Sequence, residues 1–246
     1  MLSSMAGFVL LLVVVFVSVL ERGQTEIRYF DWHAAIVVLG GVSGSLLMAL
    51  KGSTFKQMVL DWLRAILGRD LMREKIEVLK EDIAKMTSAW KENRRSEVLS
   101  LVESSRAEEV RVAADALIQH LQGQRLAERF ESLRVKTSND MLPQIEGWDM
   151  VARLSPSFGI VGTVAGMVQL FRNMATQSGG LGGAMAMALL ATLYGILFGT
   201  AVGGPMSTRL NQQLNEHLSL IDLLERQVAA LIEEDRSRKR GSEAQA

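Results

Sequence analysis

The sequence predicts an all-α integral membrane protein, with four transmembrane helices in two hairpins and a large helical cytoplasmic region. Three observations predict it. Four apolar stretches, 5–20, 33–50, 157–171 and 183–204, lie along the 246 residues in two pairs. About a hundred mostly polar residues, 51–155, separate the pairs and are dense in both charge signs. Within that polar region, apolar residues recur at spacings of three and four, and almost no alternating strand pattern occurs.

Taken in order, residues 1–50 form the first hairpin, with spans at about 3–20 and 33–50. A span needs about 17–25 apolar residues. Phe8 to Leu20 carries no charge, and the uncharged Met1 to Gly7 completes the length. The rival for residues 1–20 is a cleaved signal peptide. It would need a basic segment before the apolar run, and this chain has none, with Glu21 and Arg22 following. Residues 51–155 read as a cytoplasmic helical domain. Met72, Ile76, Leu79, Ile83 and Met86 form one apolar stripe, and Val110, Ala113, Ala114, Leu117 and Leu121 another. Residues 156–205 form the second hairpin, with spans at about 157–173 and 183–204. Residues 206–246 are a cytoplasmic helix and tail, striped by Leu214, Leu218, Ile221, Leu224, Val228 and Leu231. The charged and then small, polar end from Glu233 is expected to fray.

Charge sets the topology. Lys and Arg gather on the cytoplasmic side of a membrane protein. Residues 51–155 hold 18 of them and residues 206–246 hold 6, against 2 in the 21–32 connection and 1 in 172–182. The short connections therefore face outward, and both termini are expected in the cytoplasm, with four spans between.

Several classes fall away. The net charge is zero, which gives no footing for nucleic acid. No cysteine is present, and His33, His120 and His217 stand far apart, so no metal-ligand spacing exists. No phosphate-binding loop, zinc-protease or serine-hydrolase motif occurs. The reading is of a non-enzyme without cofactor or metal.

The second hairpin carries the chemistry. Gly159, Gly162, Thr163 and Gly166 punctuate span three. Ala188, Ala191, Thr192, Gly195, Gly199 and Gly203 line span four, the three glycines stepping by four. Small residues let helices approach closely in lipid. The ridge fits either packing inside the chain or packing against a partner. Thr163 and Thr192 sit mid-span, where a threonine either bonds its own helix carbonyl or faces a polar seam. Neither span holds Asp, Glu, Lys or His between Ser155 and Phe171 or between Leu181 and Pro205. An ion relay needs an ionisable group, so any ion path here depends on a carboxylate from elsewhere. Pro156 and Pro205 flank the hairpin on its cytoplasmic side. They read either as helix-end punctuation or as hinges.

At these residues the chain resembles the MotA/PomA family, the larger subunit of the flagellar stator, within the MotA/TolQ/ExbB superfamily. "SPSFGIVGTVAGMVQLFRNM" is similar to the family's proline-led third span, and "GGAMAMALLATLYGILFGTAVGGP" to its fourth. "FDWHAAIVVLGG" at 30–41 is a weaker likeness. The resemblance implies a torque-generating motor component of cell motility, a pentamer around a smaller single-span MotB/PomB-type partner that supplies an essential aspartate. It transports H+ or Na+ and turns a rotor protein of the FliG type. It implies an ion pathway at Thr163 and Thr192, close packing against the partner at Gly162, Gly166, Ala188, Ala191, Gly195 and Gly199, and coupling at Pro156 and Pro205. The family's rotor-facing charges find their match in "NRRSEVLSLVE", with Arg94, Arg95 and Glu103; a solvated helix face is the plainer reading.

The chain departs from the family pattern in places. Ser96-Glu97 stands after the basic pair where glycines are usual, Val102 replaces one acid, and Ala191 replaces the first of two threonines of the sodium-driven pattern. The alternative is a TolQ/ExbB-like or other stator-like energiser of a non-flagellar process. The N-terminal hairpin favours the stator, because those energisers usually have three spans.

Overall fold

The computed structural model describes residues 31–66, 71–105, 107–176 and 181–243. The expected first span, about 3–20, lies outside the described residues. Every regular element among the described residues is a helix, and three are long and apolar enough to cross a membrane.

Helix α1 (Trp32–Ala49) contains a π-helical turn over Ile36–Gly40. It starts where the Asp31 carboxylate accepts the backbone N–H groups of His33 at 2.7 Å and Ala34 at 3.2 Å, an N-cap that fills orphan donors. Leu50 is extended, and α2 (Gly52–Ile66) follows. Then come α3 (Leu71–Lys91), α4 (Arg95–Ser104) and α5 (Glu108–Ile118). Asn93 and His120 close α3 and α5 with φ of 58° and 51°. Asparagine tolerates that left-handed conformation better than most residues. Helix α6 (Gln124–Ala175) is 52 residues long, and α7 (Leu181–Phe198) leads through a π-helical turn, Gly199–Gly203, into α8 (Gly204–Glu243).

Two expectations change. Pro156 does not open a helix: α6 runs through both Pro143 and Pro156. Proline lacks the N–H that would bond the carbonyl four residues back, so the Ala152 carbonyl is released from the helix ladder. That oxygen lies against Gly199 on the neighbouring helix, 2.8 Å from where a Cβ would stand. Nor does the end fray from Glu233, for α8 continues to Glu243. Its last turns are rich in helix-forming Glu, Arg and Lys. Arg238 bonds Glu234 one turn back at 2.5 Å, and Asp235 is tied to Arg95.

The chain divides into two compact units. The first takes the described residues of 31–66 together with those of 142–210. Its apolar cluster joins Val42 and Leu46 of α1, Met58 of α2, Trp148 and Val151 of α6, and Val202. A smaller cluster joins Ala34 and Val38 to Ala191. The Phe158 ring lies where a Cβ on Gly41 would be. The second unit takes the described residues of 71–141 and 211–243. Its core is built of large side chains, including Met86, Leu117, Phe130, Ile221, Leu224 and Val228. The stripes read in the sequence point into it: Leu79, Ile83, Val110, Ala113 and Leu231 are all buried. Arg134 clamps Asp222 at 2.7 Å and bonds Glu225 beside it.

A two-threonine seam between α6 and α7

The seam lies wholly in the first unit. Glycines set its closeness. A Cβ on Gly195 would stand 2.5 Å from the Ser155 carbonyl oxygen, and one on Gly166 2.9 Å from that of Ala184. One on Gly162 would overlap the Ala191 methyl. One on Gly159 would stand 3.0 Å from the Ala191 carbonyl oxygen. The backbones of α6 and α7 thus touch, with the small side chains of one helix set against the backbone of the other. Contacts of Cα–H with carbonyl oxygen recur in such interfaces. Gly162, Gly166, Ala188, Ala191, Gly195 and Gly199 are all engaged inside the chain and buried. Pro156 packs its ring on Gly199, and Pro205 is the second residue of α8, just past the π-helical turn.

Because the backbones are so close, the two threonines meet. The Thr163 and Thr192 hydroxyls are in direct hydrogen-bond contact. Thr163 Oγ1 is 3.0 Å from the Gly159 carbonyl oxygen and 3.2 Å from that of Ala188. Thr192 Oγ1 is 3.5 Å from the Gly159 carbonyl oxygen and 3.4 Å from that of Ala188. Four oxygens therefore converge around two hydroxyl protons, and lone pairs are in excess. Such a cluster offers acceptors to a cation or to the proton of a neutral acid. Both threonines are only half-buried, so one side of the seam stays open. The uncharged stretch of α6 that carries Thr163 runs from Leu154 to Phe171, between Arg153 and Arg172.

Sequence reasoning missed the polar ties around the seam. The Tyr194 hydroxyl accepts the Asp31 backbone N–H at 3.2 Å, and Ser207 donates to Asp149 at 2.6 Å. The Asp149–Ser207 spacing of 58 residues gave no local signal.

The charged residues flagged for a rotor are in the second unit. Arg95 opens α4, binds Asp235 through two contacts of 3.0 Å, and lies over the Trp90 ring at 4.9 Å. Arg94 pairs with Glu92 at 2.9 Å and Glu97 at 2.6 Å. Glu103 is on α4, and its side chain lies outside the described residues. Arg94, Arg95, Asp235 and Arg238 line one cavity of about 680 Å³. Asp235 stands 140 residues from Arg95, so the sequence could not pair them. Among the described residues no cluster of His, Cys, Asp and Glu is suited to a metal.

Comparison with known proteins adds the following. Residues 101–222 match the model of the MotA/TolQ/ExbB proton channel family. None of the curated proteins matches the sequence. Among solved structures, the C. jejuni MotAB structure aligns with a TM-score of 0.71 at 18% identity, covering 94% of this chain and 89% of that one. The flagellar MotAB stator complex from Bacillus subtilis aligns with a TM-score of 0.70 at 18% identity, covering 93% and 88%. At that identity the likeness is one of fold.

Proposed function

From a chain whose residues 101–222 match the model of the MotA/TolQ/ExbB proton channel family, we propose a flagellar stator A subunit, the membrane component that couples ion flow to torque. The observation that carries this reading is the Thr163–Thr192 oxygen cluster in spans that hold no carboxylate. A single-span partner of the MotB/PomB kind supplies the aspartate. Ionised, that aspartate bears a desolvation penalty of several kcal/mol. Protonated or ion-bound, it is neutral and donates to, or shares its ion with, the threonine oxygens. The alternation between the two states is the working stroke. The transported ion is H+ or Na+, and no cofactor takes part.

In this reading the chain sits in the bacterial inner membrane as a pentamer around its partner. The 51–155 region and the residues after 206 face the cytoplasm, where Arg94, Arg95 and Glu103 meet a FliG-type rotor. Since the glycine ridge is engaged inside the chain, the partner helix meets the open side of the seam at the threonines. The fold likeness to two MotAB structures over 94% and 93% of the chain supports this reading.

The test is swimming speed in a strain lacking this protein, complemented with the chain and its partner, with sodium varied at fixed pH and a protonophore added. Speed that tracks sodium, or that collapses with the protonophore, supports the stator and names its ion. Unchanged swimming on deletion rejects it in favour of the energiser. The role of Arg95 has its own test. Arg95→Asp should impair motility, and pairing it with Asp235→Arg should restore it if the internal ion pair is what matters. A rotor contact predicts no rescue by that exchange.

A further inference from the structure

Helix α6 and the continuous α7–α8 are each weakest at the same level. In α6, Pro156 leaves the Ala152 carbonyl without its ladder partner. In the facing helix, Gly199–Gly203 forms the π-helical turn, where the Gly204 N–H reaches back to the Gly199 carbonyl. Pro205 follows directly and has no N–H to give. Glycine weakens a helix interior, and sharp bends form at proline, at glycine and at π-helical turns. The two weak stretches touch. A Cβ on Gly203 would stand 2.6 Å from the Ala152 nitrogen, and one on Gly199 2.8 Å from the Ala152 carbonyl oxygen.

Side chains at this level cannot lock one helix to the other. Ala152, Gly199 and Gly203 carry no polar side-chain group, and the Ser155 hydroxyl donates to the Val151 carbonyl of its own helix at 2.6 Å. Polar ties stand on either side of the level. Toward the seam, Thr163 meets Thr192. One turn the other way, the Asp149 carboxylate accepts the Ser207 hydroxyl at 2.6 Å. Ser207 is buried, whereas Asp149 is exposed and lies outside the uncharged stretch that begins at Leu154. The carboxylate keeps its contact with water while holding a partner that has none, and a hydrogen bond to a charged acceptor is among the stronger kinds. Asp149, Ala152, Ser155, Gly159 and Thr163 step by three or four along α6, so this tie belongs to the same helix face as the seam.

We propose that Asp149 and Ser207 form a clasp that makes α6 and α8 bend as one at the weak level. A shift at the threonine seam is then carried into the length of α8 beyond Ser207 instead of being absorbed at the π-helical turn. Asp149 is a positioning residue for the ion-driven motion and touches no ion. The clasp stands on contacts within the first unit alone; its part in torque rests on the stator reading.

The chain has no cysteine, so nitroxides on Glu146→Cys of α6 and Thr208→Cys of α8, both exposed positions, report the two helices cleanly. Full-length labelled protein is diluted into unlabelled chain in vesicles, and the distance between the labels is read by pulsed dipolar spectroscopy. The native pair should give one narrow distance. Ser207→Ala and Asp149→Ala should each broaden it about twofold, and Asp149→Ala removes the bond without opening a cavity. Asp149→Asn should leave it narrow, because the amide oxygen still accepts the Ser207 hydroxyl. In a strain lacking this protein and supplied with the single-span partner, both alanine variants should lower stall torque several-fold. Ion flux of the same complexes in vesicles should stay at the native level, and Asp149→Asn should keep both. An unbroadened distance in the alanine variants overturns the clasp. So does Asp149→Asn behaving as Asp149→Ala, because the charge and not the bond then matters. Broadened distances with native torque, or with flux lost in step with torque, overturn its part in coupling. A native chain that restores no torque rejects the stator reading, and the distance measurement still decides the clasp.

Discussion

The α6–α7 contact in the first unit and the core of the second are held together in opposite ways. In the first, α6 and α7 meet through Gly159, Gly162, Gly166 and Gly195, and the contact atoms are backbone carbonyls and methyls. In the second, Phe130, Leu117, Ile221 and Leu224 fill the interior, and ion pairs such as Arg134 with Asp222 and Glu225 surround it. The difference follows from solvent. Water drives large apolar side chains together, at about 25 cal/mol per Å² buried. Lipid tails offer no such drive, so helices in a membrane gain by bringing backbones close and by interhelical hydrogen bonds. The first unit should therefore be intolerant of added atoms and the second of removed ones.

The largest effect is expected where an atom is added in the first unit. Gly195→Leu should prevent α6 and α7 from closing, and the protein should be lost from the membrane fraction. Even Gly195→Ala must push against the Ser155 carbonyl, and overpacking costs about 1–3 kcal/mol. Gly44→Ala, in the same unit but with nothing within 4 Å of the added Cβ, should leave the melting temperature in detergent unchanged. Equal tolerance at Gly195 and Gly44 would break the comparison.

Next comes truncation in the second unit. Phe130 is fully buried, and Phe130→Ala should cost about 3–5 kcal/mol, read as a lowered denaturation midpoint. Phe130→Leu should cost clearly less. If Phe130→Ala is no worse than Gly195→Ala, burial is not what holds this unit.

The smallest effect is electrostatic. Glu109 bonds His217 at 2.8 Å, with both side chains mostly buried. Burial alone would raise the Glu109 carboxyl, but the His217 hydrogen bond, with Lys136 nearby, outweighs it and holds the group below the usual carboxylate range. A carboxylate lowered in the folded state stabilises the fold above its unfolded value, and that stabilisation is lost as pH falls through the folded one. Glu109→Gln should therefore flatten the acid limb of a melting-temperature profile below about pH 4.5. His217→Ala should cost about 1–3 kcal/mol near neutrality. An acid limb unaltered by Glu109→Gln would remove this pair from the account.

Much of the fold was legible because periodicity is local. The stripes through Ile76, Leu79 and Met86, and through Ile221, Leu224 and Val228, needed only spacing to be placed inward. The threonine seam was half legible. Composition put Thr163 and Thr192 on small-residue faces, but their direct contact depends on how near the glycines let two backbones come. Pro156 misled because proline favours helix starts, while here the released Ala152 carbonyl is accommodated against Gly199, a residue 47 positions away along the chain. The Arg95–Asp235 pair was hidden for the same reason, because it joins distant segments, whereas packing of the ridge inside the chain was one of the two readings that its small residues allowed.

The most direct test is ion flux through vesicles holding this chain with its single-span partner, comparing the native protein with Thr192→Val. The substitution keeps the shape of the seam and removes one of its two hydroxyls. Flux should fall at least tenfold while the complex stays assembled, and the partner's aspartate replaced by asparagine should abolish it. Native flux with Thr192→Val would contradict the claim that the seam handles the ion.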